Sequence, residues 1–334
     1  MRVLPFVVAA SLLAACSQAD TTPKPGQSTA PISRASSAPR ERLLSWGSGP
    51  QQLGYQPAGH ERLAIGPSAI AVLPAGDALV LDLLNRRVVK VRPEGDLVEV
   101  AAAASDAVDL AVDADGSFGV FSAMRSNVWV HNAQGKLMGE VQVPRGLRDI
   151  VSLGFGPSRR VMVRNAFQET YAVGGPNAPV SVETILEGKK EGAAFLPDGS
   201  GLAVQRTKQG KIELLVLGRD ASGSRTAALR RIAVCDDAAS ARILRAWEQT
   251  VCLRIERTTS KPELEVAREA VCLRADNGEQ TFHATLPGPG TFVPRTELAM
   301  GGSPPRLVMM HPRPEGLAVI AFDGVSAASE GRTP

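Results

Sequence analysis

A chain of 334 residues, 44% of them hydrophobic, with 32 glycines and 24 prolines, can bury a large core but has too many turn formers for long helices. Its net charge of +3 gives no reason to invoke nucleic acid, and no nucleic-acid partner is expected. The apolar residues come mostly in short runs rich in Val, Leu, Ile and Ala, a pattern that favours many short strands.

The first element is Met1-Arg2 followed by an apolar run from Val3 to Ala15. That run is shorter than the stretch of about 20 residues a membrane-crossing helix needs. Its basic start and small-residue end describe a secretory signal. The end, Leu13-Ala14-Ala15-Cys16, resembles the lipobox of bacterial lipoproteins. The resemblance implies removal of residues 1–15 as a signal peptide. Cys16 then becomes the lipidated first residue, its thiol carrying the diacylglycerol, with palmitate among the chains expected. Ser17, where an Asp would signal retention, implies sorting to the outer membrane. Residues 16–40, rich in Ser, Thr, Pro, Ala and Gln, cannot bury enough surface to offset ordering entropy and read as a disordered tether. No later run is long and apolar enough to span a membrane. The expected location is therefore the cell envelope, with the membrane reached through the N-terminal lipid.

Residues 41–327 repeat one pattern of apolar strand, turn and apolar strand. The copies are Ile70-Ala71-Val72 with Leu79-Val80-Leu81, Leu110-Ala111-Val112 with Gly119-Val120-Phe121, and Leu153-Gly154-Phe155 with Val161-Met162-Val163. They continue with Ala193-Ala194-Phe195 and Leu202-Ala203-Val204, a degenerate copy at Leu244 to Trp247 and Val251 to Leu253, and Leu298-Ala299-Met300 with Leu307-Val308-Met309. Copies start roughly 40 to 55 residues apart, the period of four-stranded propeller blades. Two further strands follow each copy, as in Val88 to Val91 and Leu97 to Val100. Asp, Asn and Gly fill the turns, where tight hairpins need positive φ or side-chain turn bonds. The last copy has three strands, and Arg42 to Trp46 is a spare strand that would close the ring and leave no open edge. The fold expected is an all-β propeller of six four-stranded blades, seven only if the long fifth unit conceals another. Residues 328–334 read as a disordered tail.

The first unit carries a more specific signature. Trp46-Gly47, Gly66-Pro67-Ser68-Ala69-Ile70-Ala71-Val72, Leu79-Val80-Leu81-Asp82 and Asn85-Arg86-Arg87-Val88 resemble an NHL-repeat blade. The resemblance covers about the first 100 residues and implies a six-bladed, TolB-like propeller. That family is used mostly for binding, with some members acting as lyases or lactonase-like enzymes that hold a metal in the central channel.

No chemical constellation accompanies this architecture. There is no GxSxG elbow, HExxH or P-loop, and His60, His131, His283 and His311 fall in different units. The inner strands begin with Ile70, Leu110, Leu153, Ala193, Leu244 and Leu298, which offer no ligands to an axial metal, so no cofactor is expected. Asp113-Ala114-Asp115-Gly116 lacks the further ligands of a calcium loop and reads as a turn. Three cysteines lie in the body. Val-Cys-Leu-Arg occurs at 251–254 and 271–274, so a turn near Lys261 would bring Cys252 beside Cys272. Pairing of Cys235 with Cys252, or free thiols, are the alternatives.

The loops between second and third strands open on one face of a propeller. Here they carry Arg86 and Arg87, Arg125, Arg164, Arg206 with Lys208 and Lys211, Arg257 with Lys261, and Arg313. The opposite turns hold Asp77, Asp113, Asp115, Asp198 and Glu248, against Arg159 and Arg160. A basic face of this kind would steer an acidic partner. The leading expectation is a non-enzymatic, lipid-anchored scaffold that binds another envelope protein. The alternatives are an NHL-like hydrolase or lyase with a channel metal, and a binder of polysaccharide or a small ligand.

Overall fold

The computed structural model describes residues 38–176, 178–196, 198–219, 226–259 and 265–324. Residues 1–37, with the expected signal segment 1–15, the expected lipidation site Cys16 and most of the expected tether, lie outside the described residues, as do the expected turn at Lys261 and the expected tail 328–334.

The strand-turn-strand rhythm forms six antiparallel sheets arranged as the blades of a propeller. The chain enters through β1 (Arg40–Ser45). Blade 1 is β2 (Ala69–Val72), β3 (Ala78–Asp82), β4 (Arg87–Val91) and β5 (Val98–Ala102). Blade 2 is β6 (Ala107–Val112), β7 (Phe118–Ser122), β8 (Asn127–His131) and β9 (Leu137–Gln142). Blade 3 comprises β10 (Ile150–Gly156), β11 (Arg160–Asn165), β12 (Glu169–Gly175), β13 (Ala178–Pro179), the helix α1 (Val182–Glu187) and β14 (Lys190–Glu191). Blade 4 is β15 (Ala194–Phe195), β16 (Gly201–Arg206), β17 (Ile212–Arg219) and β18 (Thr226–Cys235). Blade 5 is β19 (Ser240–Trp247), β20 (Thr250–Thr259), β21 (Glu265–Arg274) and β22 (Gln280–Leu286). Blade 6 is β23 (Leu298–Gly301), β24 (Arg306–Arg313) and β25 (Gly316–Phe322), with β1 as its outer strand.

Burial explains the composition of each strand. In blade 1 every residue of β2 and β3 is buried, because neighbouring blades cover both faces, and the strands read as unbroken apolar runs. The outer strand β5 meets solvent and tolerates Glu99. The turns after β2 and β6 place Gly76 and Gly116 at φ of 91° and 85°, which a side chain would resist. The apolar core lies between blades rather than within them. One cluster joins blades 6 and 1 through Leu44, Ile70, Val80, Val308 and Leu317, and others join blades 1 to 2, 2 to 3, 4 to 5 and 5 to 6. Among the described residues no such cluster joins blades 3 and 4.

Ring closure rests on β1, which pairs antiparallel with β25 from Arg40 opposite Ala321 to Ser45 opposite Gly316. Leu44 seals the joint, Trp46 Nε1 donates to the Arg313 carbonyl at 3.0 Å, and Arg313 clasps Glu41 at 2.6 and 2.7 Å.

Two units differ from the sequence expectation. The fifth is not degenerate: β20 and β21 are each ten residues long and cross-linked by a Cys252–Cys272 disulfide, while Cys235 is free. The third lacks a continuous fourth strand. β13 pairs with the end of β12 and β14 with its start, and α1 replaces the stretch between them. Proline at 179 has no N–H for a ladder, and Ser181 caps the helix by accepting from the Thr184 amide.

Strand direction sorts the loops. The turns from second to third strands share one face with the connections between blades. The turns from first to second strands lie on the other face, where β1 also begins.

Candidate functional site

The structure distributes the loop cations differently from the sequence expectation. Arg86, Arg125, Arg206 and Lys208 are exposed on the connection face, Arg125 with its guanidinium 5.2 Å from the Trp129 ring centre. Arg87 is buried instead: its Nε donates to Asp82 at 3.2 Å, and its Nη2 to the carbonyls of Gly49 at 3.1 Å and Gln52 at 2.5 Å. Asp82 in turn accepts from the Gly54 amide at 3.0 Å and the Asn85 side chain at 2.8 Å. Asp82, Asn85 and Arg87 of the signature thus staple the connection into blade 1, while Arg86 stays outside. Arg257 lies within β20 and is ion-paired to Glu269, and Arg313 is spent on Glu41. Arg164 is a strand residue of β11 and lines the axis of the ring.

Arg164 leads to the feature that reading the loops missed. A cavity of about 750 Å³ runs along the axis, and arginines project into it from several blades. Arg164 comes from blade 3, Arg242, Arg245 and Arg254 from blade 5, and Arg295 from the connection into blade 6. Arg242 and Arg245 are three residues apart, so in a regular strand they would face opposite sides. A bulge in β19 between Ile243 and Arg245 breaks the alternation and lets both line the cavity.

The cavity carboxylates are already engaged. Glu297 receives both Arg254 and Arg268. Asp109 accepts from the Thr296 hydroxyl at 2.8 Å and from the amides of Leu153 and Leu110 at 2.9 and 3.0 Å. Burial pushes its carboxyl above the usual range despite these bonds. The other four arginines have only carbonyl partners. Arg164 donates to Ala193 at 2.7 Å, Arg245 to Met300 at 2.8 Å, Arg242 to Val151 at 3.4 Å, and Arg295 to Ile150. Among the described residues none of the four forms an ion pair, and each guanidinium keeps donors unspent. Burial, then repulsion from Arg242, lowers Arg164 to about 10. Burial, then the neighbouring Arg254, lowers Arg242 as well. The indole N–H of Trp247, also on the cavity wall, is buried without a partner. Cations crowd one another here beside donors that lack acceptors, an environment completed by an anion with several oxygens.

A channel metal does not fit this lining. The two carboxylates are consumed by arginines and by backbone or hydroxyl donors. Among the described residues no group of three His, Cys, Asp or Glu side chains is placed to ligate an ion.

The cavity reaches the junction of blades 3 and 4, which is polar. Thr170 donates its hydroxyl to Gly192 at 2.9 Å, Gln168 exchanges two bonds with Val204 at 3.3 and 3.4 Å, and Lys190 lies 5.3 Å from the Phe195 ring centre.

Fold and site together define a six-bladed β-propeller with a cationic axial cavity. No protein-family model matches the sequence, and no curated protein matches it. Among solved structures the chain is similar to a streptogramin B lyase at 9% identity and a TM-score of 0.45, over 85% of this chain and 97% of that one. It is similar to a gluconolactonase from Xanthomonas campestris at 14% identity and a TM-score of 0.45, over 85% and 90%. It is also similar to an aldose sugar dehydrogenase from Streptomyces coelicolor at 12% identity and a TM-score of 0.44, over 86% and 98%. The activities of these proteins are not carried to this chain.

Proposed function

We propose that this chain is a lipid-anchored binding propeller of the cell envelope, held at Cys16, that takes an anionic ligand into its axial cavity. One observation carries the reading: Arg164, Arg242, Arg245 and Arg295 line one cavity with no carboxylate partner among the described residues. Guanidinium groups recognise carboxylate, sulfate and phosphate oxygens in pairs, and the volume of about 750 Å³ is ordinary for a small-molecule site. Binding is favoured over turnover because the lining offers hydrogen-bond donors and, among the described residues, no hydroxyl or amine hydrogen-bonded to a free base. The scaffold role expected of the loop cations has less support, since Arg87, Arg257 and Arg313 are bound internally.

The test is titration calorimetry of the full chain with phosphate, sulfate and citrate at constant ionic strength, beside the Arg164→Met/Arg242→Met variant. Citrate should bind the parent, and the double substitution should weaken it at least tenfold. Equal binding to both proteins, or none to the parent, overturns the reading.

A further inference from the structure

The connection face carries a second repeated feature, independent of the cavity. In blades 1 and 2 the turn between second and third strands has the same four-residue build, and blade 3 carries a version one residue shorter. A short polar residue closes the strand: Asp82, Ser122 or Asn165. A residue at positive φ opens the next: Arg86 at 55°, Ser126 at 52° and Gln168 at 62°. Two residues past each closing residue stands a large apolar side chain directed to solvent: Leu84 is 37% exposed, Met124 86% and Phe167 74%. All three turns join the second strand of a blade to its third, so these tips end at the same edge of the ring. Leu63 and Val293, in the connections into blades 1 and 6, are 86% and 75% exposed on that same face. At the opposite edge the exposed large apolar side chains among the described residues are Leu137 and Val98, each at the first position of an outer strand rather than at a turn tip.

Cations alternate with the tips. Arg86 follows Leu84, Arg125 follows Met124, and Arg145 and Arg148 stand in the connection from blade 2 to blade 3, all exposed. None forms an ion pair among the described residues. The acids of the same loops are Asp106, which accepts from the Ser122 hydroxyl, Asp149, and Glu61 beside Arg62 in the connection that carries Leu63.

From this arrangement we infer that the connection face docks onto an anionic lipid surface, with Leu84, Met124 and Phe167 entering the headgroup region and the arginines at phosphate level. Separate apolar prongs in one plane, divided by basic loops, suit a fluid interface. A protein partner would favour a contiguous apolar floor, and here the ground between the tips is Ala104-Ser105-Asp106 and Arg145-Gly146. The lipid tether does not prevent this pose. β1 begins at the opposite edge, yet segment 17–39 spans about 80 Å when extended, well beyond the length of a blade strand.

The test places tryptophan at the tips of the full chain in vesicles and reads quenching by lipids with brominated acyl chains. Met124→Trp and Phe167→Trp are compared with Gln134→Trp in an exposed turn of the opposite face, with the parent emission subtracted. The added emission at 124 and 167 should fall at least twofold more than at 134. Phosphatidylglycerol should strengthen the effect, and Arg86→Glu/Arg125→Glu should weaken it in phosphatidylglycerol vesicles. Equal quenching at the three positions, or none, overturns the inference and leaves the face to a protein partner. Stronger quenching at 134 overturns it as well and puts the opposite face on the membrane.

Discussion

Arg87 and Asp82 show how a residue's neighbours decide its role. Both belong to the signature Leu-Asp with Asn-Arg-Arg, and from the sequence Arg87 and Arg86 are two equivalent loop cations. The strand starts at Arg87, which turns its side chain inward onto Asp82, while Arg86 takes positive φ and stays in solvent. Removing one partner of such a buried pair strands the other charge. Arg87→Met should cost about 3–5 kcal/mol in urea unfolding, whereas Arg86→Met should cost almost nothing, and similar losses for the two would refute the assignment. Glu169 offers a pH test. Bonds from Lys189, Tyr171 and Asn165 hold its carboxyl down at about 2, from an ordinary value of 4.5. A depressed acid stabilises the fold above its unfolded pKa and loses that contribution as pH falls through the folded one. The gap in melting temperature between the parent and Glu169→Gln should therefore be full at pH 6, shrink below about 4.5 and vanish near 2. A gap independent of pH would show that the bonds to Glu169 do not depend on its charge.

Among the elements, blades 1 and 2 were the most legible, because their strands are short apolar runs between turns whose Asp and Gly have one conformational use. The spare strand at Arg42 was legible for a related reason: an unpaired edge on the last blade demands a partner. Blade 3 was not legible, since its outer strand gives way to a helix through local capping that hydrophobic runs do not register. The arginine cavity was hidden by a bulge. Without the register shift after Ile243, Arg242 and Arg245 would sit on opposite sides of β19, and no spacing rule unites them with Arg164 or Arg295 from other blades. A signal did exist, in the arginines set inside apolar strands such as Val161-Met162-Val163-Arg164. The polar junction of blades 3 and 4 also sets local stability. Few apolar contacts mean low protection, so native-state hydrogen exchange should be faster at β14 and β15 than at β2 and β6. Equal protection would mean that the polar bonds hold this seam as firmly as the apolar clusters hold the others.

At the scale of the whole molecule, the ring separates three tasks. Apolar clusters between blades hold it together, β1 closes it, and the axis is left to arginines of which Arg164, Arg242, Arg245 and Arg295 form no ion pair among the described residues. Cations held unpaired in a cavity work against stability, so their presence is best accounted for by what they bind. The axial cavity and the apolar tips make independent claims, one on a soluble anion and the other on a lipid surface, and either can fail without the other. The most direct measurement for the central claim is an anomalous difference map from crystals of the protein soaked in selenate, whose heavy atom marks a sulfate-like anion. The account predicts a peak inside the axial cavity within hydrogen-bonding reach of Arg164 and Arg242, and its loss in Arg164→Met/Arg242→Met crystals. Selenate found only on the outer surface, with the cavity arginines still bonded to carbonyls alone, would contradict it.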